Sequence, residues 1–187
     1  MKKFYYINLP VKFDRFQVDN FIDDGTSKEI PMELNKVNSE FIDWLHSLGL
    51  SMNMGRFFHV LPHHKMRLHI DSKDNGPYKN CVKMNIVFNS VGTIMKWWEL
   101  KPDKQKMTYV NGVGEIITGY NEEDCYVIDE GIIDQPIIFD GMTIHNLVNG
   151  STLRNCYSLY LTKFETGERI TWEEAPNIFK DYIITRE

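Results

Sequence analysis

Phe139-Asp140-Gly141-Met142-Thr143-Ile144-His145-Asn146-Leu147-Val148-Asn149-Gly150-Ser151-Thr152-Leu153-Arg154-Asn155-Cys156-Tyr157-Ser158-Leu159-Tyr160-Leu161 is the stretch on which the fold turns. Two β-prone runs flank Asn149-Gly150, the dipeptide that best tolerates the positive φ angles of a tight hairpin turn. With that pair as the loop, Val148 faces Ser151, Leu147 faces Thr152, Asn146 faces Leu153 and His145 faces Arg154. A four-residue loop centred on the same pair leaves the register unchanged. Directly opposed residues share one face of a sheet, with Cβ atoms roughly 4.5–5.5 Å apart. The expectation is a hairpin that sets an imidazole beside a guanidinium.

Working upstream, His69-Ile70-Asp71 places a histidine and a carboxylate on one face of a strand by alternation. Alone the triplet is weak, since roughly one His-x-acid triplet is expected by chance in such a chain. Joined to His145 it completes two histidines and one carboxylate. That is the donor set of the facial triad of non-haem Fe(II) sites, which leaves coordination positions open.

The wider chain is β-rich. The run from Phe4 to Val11 is β-prone, with Pro10 placing its end at a sheet edge or turn. Residues 13–32 read as loop with one short strand. Ser39 to Gly49 is the best helix. Asn38 or Ser39 can cap it, Phe41, Trp44, Leu45 and Leu48 form one apolar stripe, and Gly49 ends it. Such a helix packs against the outside of a sheet. Strands follow at 56–61, 67–71, 81–88, 93–100, 108–110, 115–120, 125–128 and 137–139. Turn formers separate them at 72–77, at 101–105 and around Gly112 and Gly114. Residues 171–183 carry one or two helical turns on either side of Pro176. Short strands joined by short turns predict a mainly β, jelly-roll type sandwich or barrel. One domain is expected over 1–187, with a barrel core at about 52–164.

The chain has 187 residues, enough to bury a core, with 42% hydrophobic, 13% aromatic and 25% charged residues. The formal net charge of -5 argues against a sequence-independent nucleic-acid binder. Local basic positions, Lys79 and Lys83, lie near the expected site. Three separated cysteines, Cys81, Cys125 and Cys156, suit reduced thiols better than disulfides, and no CxxC spacing suggests zinc. Lys12, Asp14 and Arg15 interrupt the apolar N-terminus before a signal peptide can form. No run is long enough for a membrane helix, so a cytoplasmic location is expected.

The order His-x-Asp, a strand, a long interval, then Phe-Asp-x(4)-His-x(3)-Asn with an arginine nine residues after the histidine, resembles the Fe(II)- and 2-oxoglutarate-dependent dioxygenases. Within them it looks most like the aspartyl/asparaginyl and free-proline hydroxylase branch. The resemblance covers residues 67–161. It implies a double-stranded β-helix, with His69, Asp71 and His145 holding iron and Arg154 pairing with the distal carboxylate of 2-oxoglutarate. Arginine's planar fork suits such bidentate pairing. It further implies a small-molecule or peptide substrate, an amino acid among them. That branch carries Arg-x-His on the strand after the carboxylate ligand, whereas this chain has Lys83-Met84-Asn85. Alternation still puts Lys83 and Asn85 on one face, within reach of a co-substrate carboxylate. Arg154-Asn155-Cys156-Tyr157 does not continue the signature of the nucleic-acid-repair oxygenases.

A different class competes. Gly141-x(3)-His145-x(3)-Asn149 also resembles the second cupin motif, which would make the chain a cupin-like binding or sugar-modifying protein, or a barrel that binds without catalysis. The first cupin motif needs His-x-His, and this chain has His-x-Asp. The remaining histidines have ordinary readings: His46 solvated, His59 a core histidine, His63 and His64 in a polar connection. Of Trp97 and Trp98, one is expected to point into the barrel and to offer a wall for substrate. Asn149 reads as a turn residue.

Overall fold

The computed structural model describes residues 2–18, 21–71, 80–111 and 114–186. The loop expected at 72–77, Lys79 and Gly112 lie outside these residues.

Eight strands pair as one long antiparallel ribbon folded back at its middle. β3 (Leu50–Val60), β4 (Leu68–His69), β5 (Val82–Phe88) and β6 (Ile94–Leu100) form one arm. β9 (Cys125–Ile132), β10 (Ile137–Asp140), β11 (Ile144–Val148) and β12 (Arg154–Lys163) form the other. The arms pair in nested order: β6 with β9, β5 with β10, β4 with β11 and β3 with β12. The ribbon coils, so successive turns also pair, β12 with β5 and β11 with β6. The fold is therefore mainly β, a double-stranded β-helix or jelly roll.

Five further strands widen it. β1 (Phe4–Ile7), β2 (Lys28–Pro31) and β13 (Ile183–Ile184) extend one sheet to the order β13-β1-β10-β5-β12-β3-β2. The β7 (Met107–Val110) and β8 (Ile116–Tyr120) hairpin extends the other to β7-β8-β4-β11-β6-β9. The seven-stranded sheet is buried on both faces. On its outside, Tyr157, Leu159, Met84 and Ile138 pack with Phe41, Trp44 and Leu45 of α1 (Ser39–Ser47) and with Phe179, just after α2 (Ala175–Ile178). Each such side chain contributes about 1.5–3 kcal/mol when fully buried. On its inside, Phe4, Val87, Phe139 and Cys156 meet Trp97 of the second sheet. No described helix is long and apolar enough to cross a membrane.

Helix α1 sits against the outside of a sheet, as its stripe predicts, and Gly49 follows it at φ 70°. Its N-terminus differs from expectation. Asn38 occupies the cap position but makes no side-chain cap bond. Its Oδ1 accepts from the Asp14 N–H and its Nδ2 donates to the Lys12 carbonyl, so it ties down the N-terminal segment instead.

The hairpin expected around Asn149-Gly150 does not form. β11 and β12 lie in opposite sheets, and neither residue has positive φ. The pair is a corner, conserving close packing instead of a tight turn. Asn149 is 2% exposed; its Nδ2 faces the carbonyls of Val60, Leu61 and Thr152 at 2.8–3.0 Å, and its Oδ1 accepts from Thr93 Oγ1 at 2.6 Å. Gly150 leaves no room for a side chain, since a Cβ there would stand 1.8 Å from the Val91 carbonyl oxygen. An Asn-Gly chosen for a close approach carries the same letters as one chosen for a turn.

Candidate metal centre

His69 and His145 face each other across β4 and β11, whose register pairs them directly. Their rings lie 4.5 Å apart between centroids. Asp71 stands just past the end of β4, held by its N–H on the Gly141 carbonyl at 2.8 Å; the Gly141 N–H in turn reaches the Cys81 carbonyl at 2.7 Å. Gly141 is required here, because a Cβ would come within 3.0 Å of Asp71 Oδ2 and 2.9 Å of Cys81 Sγ. Asp140 shapes the adjacent turn, accepting from the Met142 N–H and the Thr143 hydroxyl, and so sends the chain from one sheet to the other. The outcome is three donor atoms within 4.8 Å of one another on His69, Asp71 and His145.

Their protonation follows from their partners. Nδ1 of His69 lies 2.8 Å from the Arg67 carbonyl, and Nδ1 of His145 lies 2.8 Å from the Thr143 carbonyl. A carbonyl can only accept, so each Nδ1 carries a proton. Burial lowers the His145 pKa, keeping the ring neutral, and each Nε2 is left with a lone pair. Both lone pairs point toward Asp71: His69 Nε2 is 3.7 Å from Oδ1, and His145 Nε2 is 3.2 Å from Oδ2. Asp71 Oδ2 has no hydrogen-bond donor. Burial is the largest single influence and would raise this carboxyl, but the Lys83 ammonium, 3.0 Å from Oδ1, and the adjoining His145 and His69 rings together outweigh it and hold the carboxyl well below the usual range. Three converging lone pairs on buried atoms repel unless a cation lies between them. The donor set fits a divalent metal with coordination positions left open.

Beside the triad lies a narrow inner cavity of about 40 Å³, lined by Lys83, Asn85, Arg154 and Ser158 as well as by the three donors. Arg154 is 2% exposed, and its Nε and Nη2 have no hydrogen-bond partner. Asn85 Oδ1 and Ser158 Oγ are likewise buried without partners. Native interiors pair their polar groups, so a cluster of orphans on one cavity marks a place for a ligand. A guanidinium among them makes that ligand anionic. No sequence motif marks Ser158, although alternation from Arg154 along β12 puts both on the inner face.

Outside this cavity a cleft of about 500 Å³ shares His69 and Asp71 with it and is walled by Glu29, Arg67, Tyr109, Glu115 and Tyr160. Arg56, beneath, joins Glu115 at 2.9 Å and Glu29 at 3.7 Å. Nothing local in the sequence marks Glu29, which arrives through β2 pairing with β3.

No protein-family model matches the sequence, and no curated protein matches it. Among solved structures, a prolyl-4-hydroxylase from Pseudomonas putida is similar over 72% of this chain and 71% of its own, at 10% identity and a TM-score of 0.42. An oxalate oxidase in complex with the substrate analogue glycolate covers 93% and 80%, at 9% identity and a TM-score of 0.35. Peruvianin-I, a cysteine peptidase from Thevetia peruviana latex, covers 91% and 96%, at 13% identity and 0.35. These likenesses are remote, and the fold is read from the strand order.

The other singled-out residues lie away from the site or serve packing. His59 is buried, with Nδ1 at 3.0 Å from Asn155 Oδ1 and its ring against Phe21. His46 packs its ring on Phe164. His63 is exposed in a turn at φ 60°; His64, also exposed, is the exception and lines the outer cleft. Trp97 does point inward, yet it stacks on Phe4 at 4.6 Å in the aromatic core and walls neither the cavity nor the cleft. Trp98 packs on the far side of its sheet and donates to Asn146 Oδ1. The three cysteines are buried and free.

Proposed function

We propose that the protein is a non-haem Fe(II)- and 2-oxoglutarate-dependent oxygenase. The observation that carries this reading is the pairing, in one cavity, of an unpartnered carboxylate oxygen between two imidazole lone pairs with a buried guanidinium that has two unpartnered nitrogens. His69, Asp71 and His145 would hold iron, and Arg154 would take the distal carboxylate of 2-oxoglutarate, with Asn85 and Ser158 as further polar partners. When bound, iron and co-substrate supply oxidative decarboxylation: 2-oxoglutarate and dioxygen yield succinate and carbon dioxide, with one oxygen atom entering a substrate C–H bond.

The chain's part is positional. The two backbone-anchored Nδ1–H groups fix the imidazole planes, Gly141 holds Asp71 against them, and the narrow inner cavity sets Arg154 beside the three donors. The cleft admits the substrate. With Glu29 and Arg67 on its walls it offers opposite charges to an ammonium and a carboxylate, in keeping with an amino acid, free or in a peptide.

A cupin-like binding protein requires neither Asp71 nor Arg154, and would gain nothing from a buried guanidinium with two nitrogens left unpaired. The test is anaerobic titration with Fe(II) and then 2-oxoglutarate. A weak visible charge-transfer band is expected in the wild-type protein and not in Asp71→Ala. A wild-type protein that binds neither component would refute the reading.

A further inference from the structure

The two oxygens of Asp71 are treated differently. Oδ1 meets Lys83 Nζ at 3.0 Å, while Oδ2 has no donor and faces His145 Nε2 at 3.2 Å. Lys83 is 3% exposed, and its ammonium sits over the rings of Tyr160 at 4.5 Å, Phe58 at 5.9 Å and Phe139 at 5.9 Å. Rings on three sides stabilise a cation independently of the carboxylate. The ammonium therefore has a seat of its own and is not merely lent to Asp71 until a metal arrives.

We infer that Lys83 is a positioning residue for the metal site: it holds Asp71 Oδ1, so that Oδ2 alone is presented to the ion. This rests on the metal-centre reading above and goes beyond it, since the sequence assigns Lys83 to the co-substrate. A carboxylate with one oxygen occupied by a fixed donor binds through the other, and that keeps further coordination positions open. Without the ammonium, the carboxylate is free to turn and to offer both oxygens. Lys83 also lines the inner cavity, but its effect on the metal passes through Asp71.

The probe is Co(II), whose visible spectrum reports coordination. Wild-type protein and Lys83→Met are titrated, with thermal unfolding of the metal-free proteins as the folding control. The variant is expected to bind Co(II) at least about tenfold more weakly, as metal sites do when a group that orients a ligand is lost, and with a changed band shape. If wild-type protein binds no Co(II), the metal-centre reading falls and this inference with it. If wild-type binds and Lys83→Met binds equally or more tightly with an identical spectrum, only the inference falls, and Lys83 is a competing cation. Should the variant not fold, ¹⁵Nζ-lysine NMR of the wild-type protein decides. A slowly exchanging Lys83 ammonium signal that survives addition of Zn(II) supports the inference; its loss overturns it.

Discussion

His69 and His145 occupy paired positions on β4 and β11, and each turns its Nδ1–H onto the backbone carbonyl two residues before it. Two rings pinned by the same local device leave two lone pairs aimed at one point, with Asp71 as the third side. A binding point built this way should contribute to stability when filled. A divalent ion such as Zn(II) at 100 times its dissociation constant is expected to stabilise the fold by about 2.7 kcal/mol. Thermal melts with the ion and with a chelator measure the difference, which should vanish in His145→Ala; equal melts for the wild-type protein would contradict the site.

Arg154 leads to a less intuitive expectation. Its buried guanidinium has two nitrogens without partners, a cost of about 1–3 kcal/mol or more for a charged group. Arg154→Met should make the ligand-free protein as stable as wild type or more so in urea unfolding, while abolishing stabilisation by 2-oxoglutarate. Arg154→Ala should raise the apparent KM for 2-oxoglutarate far more than it alters metal binding. A variant that loses stability yet keeps its KM would place the guanidinium in a purely structural role.

At alkaline pH the buried acids decide. Burial pushes the Cys81 thiol up from 9.0 to about 12 and the Tyr160 phenol up from 10.0 to about 12. A folded pKa above the unfolded one means stability that is complete below pH 9 and is lost as pH rises toward 12. Melting temperatures should fall steadily above pH 9, with a smaller fall for Cys81→Ser. The native thiol should also resist iodoacetamide at pH 9; rapid alkylation would argue that it is not buried as described.

The corner at Asn149-Gly150 makes a stability test independent of function. Asn149→Ala strands buried carbonyls of Val60 and Thr152, at about 1–3 kcal/mol per unsatisfied group. Gly150→Ala forces a methyl into the Val91 carbonyl and should cost about 3 kcal/mol. Chemical denaturation measures both losses, and wild-type stability in either variant would contradict the corner as described.

The strands were legible because β-prone runs alternate with turn formers, and the meeting of His69, Asp71 and His145 was legible because each motif is local: His69 and Asp71 two apart, His145 behind its Phe-Asp turn. What the sequence could not carry was partner choice. Asn149-Gly150 satisfies the hairpin rule letter by letter, yet the alternative of crossing between sheets depends on Val60, Thr93 and Val91, all distant in the chain. The short strand β13 and the exact reach of β9 to Ile132 depend likewise on neighbours. Lys83 and Asn85 were placed on the correct face by alternation; that Lys83 bonds to Asp71 required the fold.

The nested ribbon has a kinetic consequence. Once β6 and β9 join, each later pair closes only a small additional loop, so the heavy entropic toll of distant contacts is spread over successive zipping steps. The metal donors, on the third pair from the bend, meet only after two pairs are in place. An ion supplied at the start of refolding should leave the early phase untouched and slow only the unfolding of the finished barrel.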